Sequence, residues 1–189
     1  MEISVDSLIR QSIDQQRILL VGNQRKKLAQ FIRHILSFNH KVFHFYSEGQ
    51  LTEQKGAPVL IIESDTQLTE FQHHVLMLTA ISENRLTEVA SLADATPKGG
   101  IVLYPEGDAK LKAIGAKERA DVQPIPYKII PHEVKNGVTT LVTSTNEKFP
   151  LQIHGEENML LLAAAKELLK KIGISSSQFY KAAATLSSF

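Results

Sequence analysis

At 189 residues, with 43% hydrophobic and 22% charged side chains, the chain has enough apolar material for one sizeable domain and does not have the composition of a disordered polymer. Its formal net charge of +1 supplies no global field for drawing in nucleic acid or a membrane surface. Cysteine is absent, which excludes disulfides, thiol nucleophiles and thiolate metal sites.

The opening residues up to Arg17 lack the basic-then-apolar order of a signal peptide. No apolar run is long enough to span a bilayer, so the cytoplasm is the expected location. Val5 to Ile13 reads as a short amphipathic helix. Arg17 to Val21 (RILLV) is a continuous apolar run, the pattern of a strand covered on both faces. Gly22 and Asn23 break it. Leu28, Phe31, Ile32, Ile35 and Leu36 then recur at helical spacing, which places a helix start within a few residues of Gly22. Val42 to Tyr46 reads as a second strand. A polar stretch with Gly49 and Gly56 leads to VLIIE, a third buried strand ending at Glu63. His74 to Ile81 reads as another strand, Leu86 to Ala93 as a helix, and Gly99-Gly100 leads into a further strand, IVLY. Strands alternating with helices imply crossovers and a mostly parallel sheet.

After Asp121 the texture changes. Val122 to Ile130, Val138 to Thr143 and Phe149 to Ile153 read as strands with no helix between them. Asn136-Gly137 is the pair that suits a type I′ hairpin turn, because both central residues need positive φ. Two helices follow. The first runs from about Glu157 to Lys171 and stops at Gly173. The second starts at Ser175, with Gln178 placed to complete a capping box. The expected fold class is therefore α/β: a mostly parallel sheet with flanking helices plus a small antiparallel β extension, in one domain covering 1–189.

The segment RILLVGNQRKKLAQFIRHIL has the layout of a phosphate-binding loop: buried strand, tight turn at Gly22, Lys26, then a helix whose free N–H groups and dipole favour an anion. A working loop of this kind ends in glycine, lysine and a hydroxyl residue, the last of which binds Mg²⁺. Here those positions read Arg25-Lys26-Lys27. Arg25 brings bulk where phosphate needs close backbone approach, with a further strain of about 1–2 kcal/mol if that position must be left-handed. Lys27 places a cation where a metal ligand belongs. The same residues also suit an ordinary strand-to-helix turn with solvated basic side chains.

Elsewhere, Glu63 and Asp65 flank Ser64 at a strand end and point to one side of the sheet, as a metal site or as a solvated strand end. His40 and His44 share a face without a third ligand, and His73 and His74 would point oppositely in a strand, so neither pair has zinc spacing. No Gly-x-Ser-x-Gly elbow is present. Leu160, Leu161, Ala164, Leu168 and Ile172 form a stripe read as core packing or, alternatively, as a docking face for another subunit.

Read together with FPLQIHGEENMLLLAAAKELLKKIGISSSQFYKAAATLSSF, the loop resembles the central, ATP-binding domain of the Mur ligases, most nearly the muramate–peptide ligases that recycle cell-wall peptides. GGIVLYPEGDAKLKAI, YKIIPHEVKNGVTTLV and IHGEEN come in the family's order. The resemblance covers roughly Arg17 to Phe189, with an abbreviated middle. It implies that Gly22, Asn23 and Lys26 stand in the phosphate loop, that Glu63 and then Asp65 stand where the family's acids help hold Mg²⁺, and that Gly155 and Asn158 stand in the adenine-contacting turn. There Glu157 replaces the family's histidine and Leu161 its second asparagine. The family's Asp-His pair is missing, and no counterpart is found for the lysine that some members carbamylate.

The resemblance also implies that the UDP-sugar-holding and C-terminal ligase domains lie outside this sequence, so that one copy cannot assemble the acyl-phosphate chemistry. The leading expectation is thus a catalytically incompetent, stand-alone relative without catalytic residues. It would act as a binding or regulatory module linked to peptidoglycan metabolism, with an unidentified protein or a second copy as partner and neither nucleic acid nor membrane. Two alternatives stand beside it. One is a domain that binds Mg-ATP or another nucleotide through a remodelled loop; the other is one subunit of a split ATP-dependent ligase.

Overall fold

The computed structural model describes residues 3–187. The described chain divides into two compact units. The first comprises the residues up to Lys26 and Val42–Pro126, and the second Lys27–Lys41 and the residues from Tyr127 on.

The first unit begins with α1 (Val5–Gln11), capped by the Ser4 side chain, which accepts from the Ser7 N–H. The strand β1 (Gln16–Val21) follows, and its Ile18, Leu19, Leu20 and Val21 are completely buried. The chain turns through three residues into α2 (Arg25–Phe38), most of which belongs to the second unit. Then come β2 (His44–Ser47), β3 (Gln50–Thr52), β4 (Val59–Glu63), a 3-10 turn at Leu68–Phe71, β5 (Val75–Leu78), α3 (Leu86–Asp94), β6 (Ile101–Pro105), α4 (Ala109–Gly115) and β7 (Gln123–Tyr127). The strands form one sheet in the order β3-β2-β4-β1-β5-β6-β7. Pairings β2–β4, β4–β1, β1–β5 and β5–β6 are parallel, and the short β3 is antiparallel to its neighbour β2. Parallel strands covered on both faces need continuous apolar sequence, which accounts for RILLV and VLIIE. The core gathers Leu19, Val21, Leu60, Ile62, Leu76 and Leu78 from the central strands, and Val5, Leu8, Phe71, Val89 and Leu92 from the flanking elements.

Several boundaries differ from the sequence reading. The strand expected from Val42 starts at His44, and the one expected from His74 to Ile81 spans only Val75–Leu78. The polar stretch after Tyr46 folds back as β3, because Glu48 and Gly49 both take positive φ and make a two-residue reversal. Asp108 starts an unexpected helix, α4, by accepting from the N–H groups of Lys110 and Leu111. The stretch expected as the first antiparallel strand instead supplies β7, at one end of the large sheet. Its sequence is QPIPY. The Gln123 N–H donates to the Gly100 carbonyl at 2.9 Å. Residues two apart face the same way, so Pro124 and Pro126 fall on the opposite, outward amide positions, where no N–H is required.

The second unit contains a three-stranded antiparallel sheet in the order β10-β9-β8, formed by β8 (His132–Lys135), β9 (Val138–Val142) and β10 (Lys148–Pro150). Asn136 (φ 51°) and Gly137 (φ 78°) form the expected hairpin turn, with Lys135 opposite Val138. The helix α5 (Glu156–Lys171) buries Leu161, Ala164 and Leu168 as the stripe implied, while Leu160 and Ile172 are half-buried. Within this unit the Asn39 carboxamide, just after α2, donates to Gln178 O, and His34 Nε2 lies 2.8 Å from Thr185 Oγ1.

The last helix, α6 (Ser176–Ala183), has the full capping box: Ser175 Oγ accepts from the Gln178 N–H, and Gln178 Oε1 accepts from the Ser175 N–H. Ser175→Ala should therefore lower stability by about 1 kcal/mol, or about 2–4 °C in melting temperature for a chain of this size. Ser177→Ala, an exposed position inside the same helix, should leave it unchanged in the same melting experiment.

Candidate functional site

In a parallel sheet, ligands gather outside the carboxyl ends of the strands. The ends of β1 and β4 carry the predicted loop and acids. The turn after β1 is Gly22-Asn23-Gln24. Gly22 has φ 119°, and a Cβ there would lie 2.3 Å from Thr79 Oγ1 and 2.8 Å from the carbonyl oxygens of Thr79 and Ala80. The glycine therefore lets the turn press against the end of β5. The left-handed residue of the loop is Gly22. Arg25 opens the helix and is not among the positive-φ residues, so the strain considered for it from sequence does not arise.

The turn's N–H groups are already used. Asn23 N–H donates to Ala80 O at 2.8 Å, Gln24 N–H to Thr79 Oγ1 at 3.3 Å, and Arg25 N–H to Gly22 O at 3.2 Å. Thr79 Oγ1 in turn donates to Val21 O at 3.1 Å. A phosphate cradle works by aiming free N–H groups at an anion, and these three aim at the chain itself.

Lys26, the one residue of the glycine–lysine–hydroxyl end that is kept, pairs with Glu48 at the tip of the β2–β3 reversal. That hydrogen bond raises the lysine's pKa and lowers the glutamate's. Both side chains are well exposed, so the pair is a surface contact.

The two acids come together as expected, but around a side chain of the protein. Arg25 Nε lies 2.7 Å from Glu63 Oε1, and Arg25 Nη2 lies 3.4 Å from Asp65 Oδ2. The Glu63 side chain is only 3% exposed and that of Arg25 15%. Arg25 Nε and Glu63 Oε1 are buried, and neither makes a directed hydrogen bond, so the contact is one of opposed charges held off the hydrogen-bond line. Glu63 Oε2 accepts from the Ser47 hydroxyl. Arg85 bonds the Asp65 carboxylate and also Glu88, whose hydrogen bond is the main reason its pKa is raised. In the alternating chain Glu63–Arg25–Asp65–Arg85–Glu88, the two guanidinium groups each stand between two of the three carboxylates, leaving one negative charge in excess. A divalent cation at Glu63 and Asp65 does not fit beside the Arg25 guanidinium. Ser47, Glu48, Thr79 and Arg85 were not singled out from the sequence; Glu48-Gly49 was the available signal, as a turn pair.

Gly155 and Asn158 belong to the second unit. Gly155 (φ 94°) precedes α5. Asn158 Nδ2 donates to His154 O at 2.6 Å, which fixes the carboxamide's orientation and leaves Oδ1 buried without a partner. Lys27, in the same unit, lies 3.8 Å from Glu157.

No group of three or more potential ligand residues that could hold a metal ion occurs among the described residues. His40 lies in a left-handed turn after α2 rather than in a strand. His73 Nε2 lies 2.9 Å from Thr96 Oγ1, while His74 Nδ1 accepts from the Arg17 N–H at 3.0 Å. No helix of the described residues is long and apolar enough to cross a membrane.

No protein-family model matches the chain, and neither does any curated protein. Solved structures do. The UDP-N-acetylmuramate:L-alanyl-gamma-D-glutamyl-meso-diaminopimelate ligase from Neisseria meningitides matches with a TM-score of 0.72 at 10% identity, over 98% of this chain and 69% of the other. The UDP-N-acetylmuramoylalanyl-D-glutamyl-2,6-diaminopimelate–D-alanyl-D-alanyl ligase from Acinetobacter baumannii matches with a TM-score of 0.73 at 13% identity, over 98% of this chain and 49% of the other. Folylpolyglutamate synthetase from Lactobacillus casei gives 0.70 at 12% identity, over 96% and 66%. In fold, then, the chain is a Mur-ligase-like domain, and it spans about half to two thirds of the length of these enzymes.

Proposed function

We propose that this chain is a catalytically incompetent Mur-ligase-like domain that acts by binding, as a regulatory module connected with peptidoglycan metabolism. The observation that carries the reading is the closed turn after β1. Its Asn23, Gln24 and Arg25 N–H groups donate to the chain's own oxygens, so a triphosphate would have to break those bonds to be cradled. The pairing of Lys26 with Glu48 and of Arg25 with Glu63 supports it, since both charges that would meet phosphate and metal are matched internally. The connection with peptidoglycan rests on the names of the structural neighbours alone.

Thermal melting with Mg-ATP, ADP and UDP-sugars tests this. A ligand at one hundred times its dissociation constant stabilises by about 2.7 kcal/mol, which is about 5–10 °C for a chain of this size. The expected result is no shift with any of the three. The double change Arg25→Gly with Lys27→Thr removes the guanidinium and restores a hydroxyl, and should create a Mg-ATP shift. A shift in the unaltered protein that disappears in Lys26→Ala would overturn the proposal.

That outcome would favour the second reading, a nucleotide-binding domain with a remodelled loop. One specific observation speaks for it: the unpartnered, buried Oδ1 of Asn158 is an acceptor awaiting a donor such as an exocyclic amine.

A further inference from the structure

The strongest unusual feature of the first unit is a buried charge pair placed where the fold's relatives are expected to hold a metal. Glu63 is nearly inaccessible, at the end of a central strand, and a carboxylate there needs a counter-charge. The Arg25 guanidinium supplies one, 2.7 Å from Glu63 Oε1, with its second arm 3.4 Å from Asp65. We propose that Arg25 is a built-in cation that has taken over the structural charge of a divalent ion, so that the carboxyl ends of β1 and β4 are held together without metal. This rests on the non-catalytic reading above and adds to it what balances the acids in place of Mg²⁺.

Three features support the assignment. The guanidinium spans both acids, as one cation between two carboxylates would. Ser47 holds the other oxygen of Glu63, so the carboxylate is oriented toward Arg25 from both sides. Arg85 closes the far side of Asp65, leaving that acid between two guanidinium groups. A guanidinium is a covalently fixed cation broad enough to lie against two carboxylates at once. It is therefore a permanent counter-charge, whereas a bound ion would leave with dilution or chelation.

The test is a melting series on the whole chain in chelator, in Mg²⁺ and in Mn²⁺. The unaltered protein should melt at one temperature in all three. Arg25→Met leaves Glu63 uncompensated and should lower the melting temperature in chelator by on the order of 10 °C. Mg²⁺ or Mn²⁺ at ten times its dissociation constant should return about 3–5 °C of that. The double variant Arg25→Met with Glu63→Gln removes both charges. It should recover most of the loss in chelator and respond to neither ion, and it serves equally if the single variant does not fold.

Stabilisation of the unaltered protein by either ion would overturn the proposal, as would an Arg25→Met protein indifferent to them or a double variant no more stable than the single one. Metal-free ATP binding by the unaltered protein would sink the non-catalytic reading while leaving this one standing, so the two fail separately.

Discussion

Replacing Gly22 with alanine should cost about 3–5 kcal/mol and lower the melting temperature by on the order of 10 °C. Two effects add. With φ at 119°, the residue stands where an L side chain is strained. The new Cβ would also meet the carbonyl oxygens of Thr79 and Ala80 at 2.8 Å, and these are backbone atoms that cannot rotate away. The nearer contact, Thr79 Oγ1 at 2.3 Å, belongs to a side chain already engaged with Val21 O and the Gln24 N–H. The double change Gly22→Ala with Thr79→Ala should therefore regain only a part. Urea unfolding of the three proteins measures this, and a loss below about 1 kcal/mol for the single change would mean that the turn re-forms without its approach to β5.

Acidification should destabilise the fold well before its carboxylates titrate. His73 is 2% exposed, and burial, with lesser contributions from His74 and Arg17, lowers its pKa to about 4. Burial and Arg17 also lower that of His74, whose Nδ1 must stay unprotonated to accept from the Arg17 N–H. The unfolded chain takes up the His73 proton near pH 6.5, whereas the folded chain resists it until about pH 4. The stabilisation is complete above pH 6.5 and is lost as pH falls from 6.5 toward 4. At about 1.4 kcal/mol per pH unit, His73 alone accounts for a loss on the order of 3 kcal/mol across that window. His74 adds in the same direction. Denaturant midpoints taken from pH 7.5 to 4.5 should hold until about pH 6.5 and then fall in the unaltered protein, less steeply in His73→Gln. A flat profile in the unaltered protein would contradict the burial argument.

What the sequence made legible follows from where burial writes a simple pattern. RILLV and VLIIE were readable because strands covered on both faces must be apolar throughout. Ser175 and Gln178 were readable because a capping box is a local device, complete within four residues. By contrast, β3 and α4 leave no such trace. The strand Gln50–Thr52 has no fully buried residue and depends on the Glu48-Gly49 reversal, while α4 buries Leu111 and Gly115 and so carries no apolar stripe. The same division holds at the candidate site. Gly22 and Lys26 announced a phosphate loop by type and spacing, and Arg25 read as an obstacle. That Arg25 has acidic partners, and that the Asn23 and Gln24 N–H groups are occupied by Ala80 and Thr79 just beyond β5, are tertiary facts that neighbouring residues cannot reveal. His73 and His74 are adjacent in sequence, yet they bond elements far apart along the chain.

The two outward prolines of β7 have a consequence for self-association. A strand laid against that margin would find carbonyl oxygens at Pro124 and Pro126 but no amide hydrogen between them, so the reciprocal ladder needed for lateral growth cannot form. Concentrated samples should thus resist fibril seeding from this margin, and exchanging both prolines for threonine would supply the missing donors and turn it into a template.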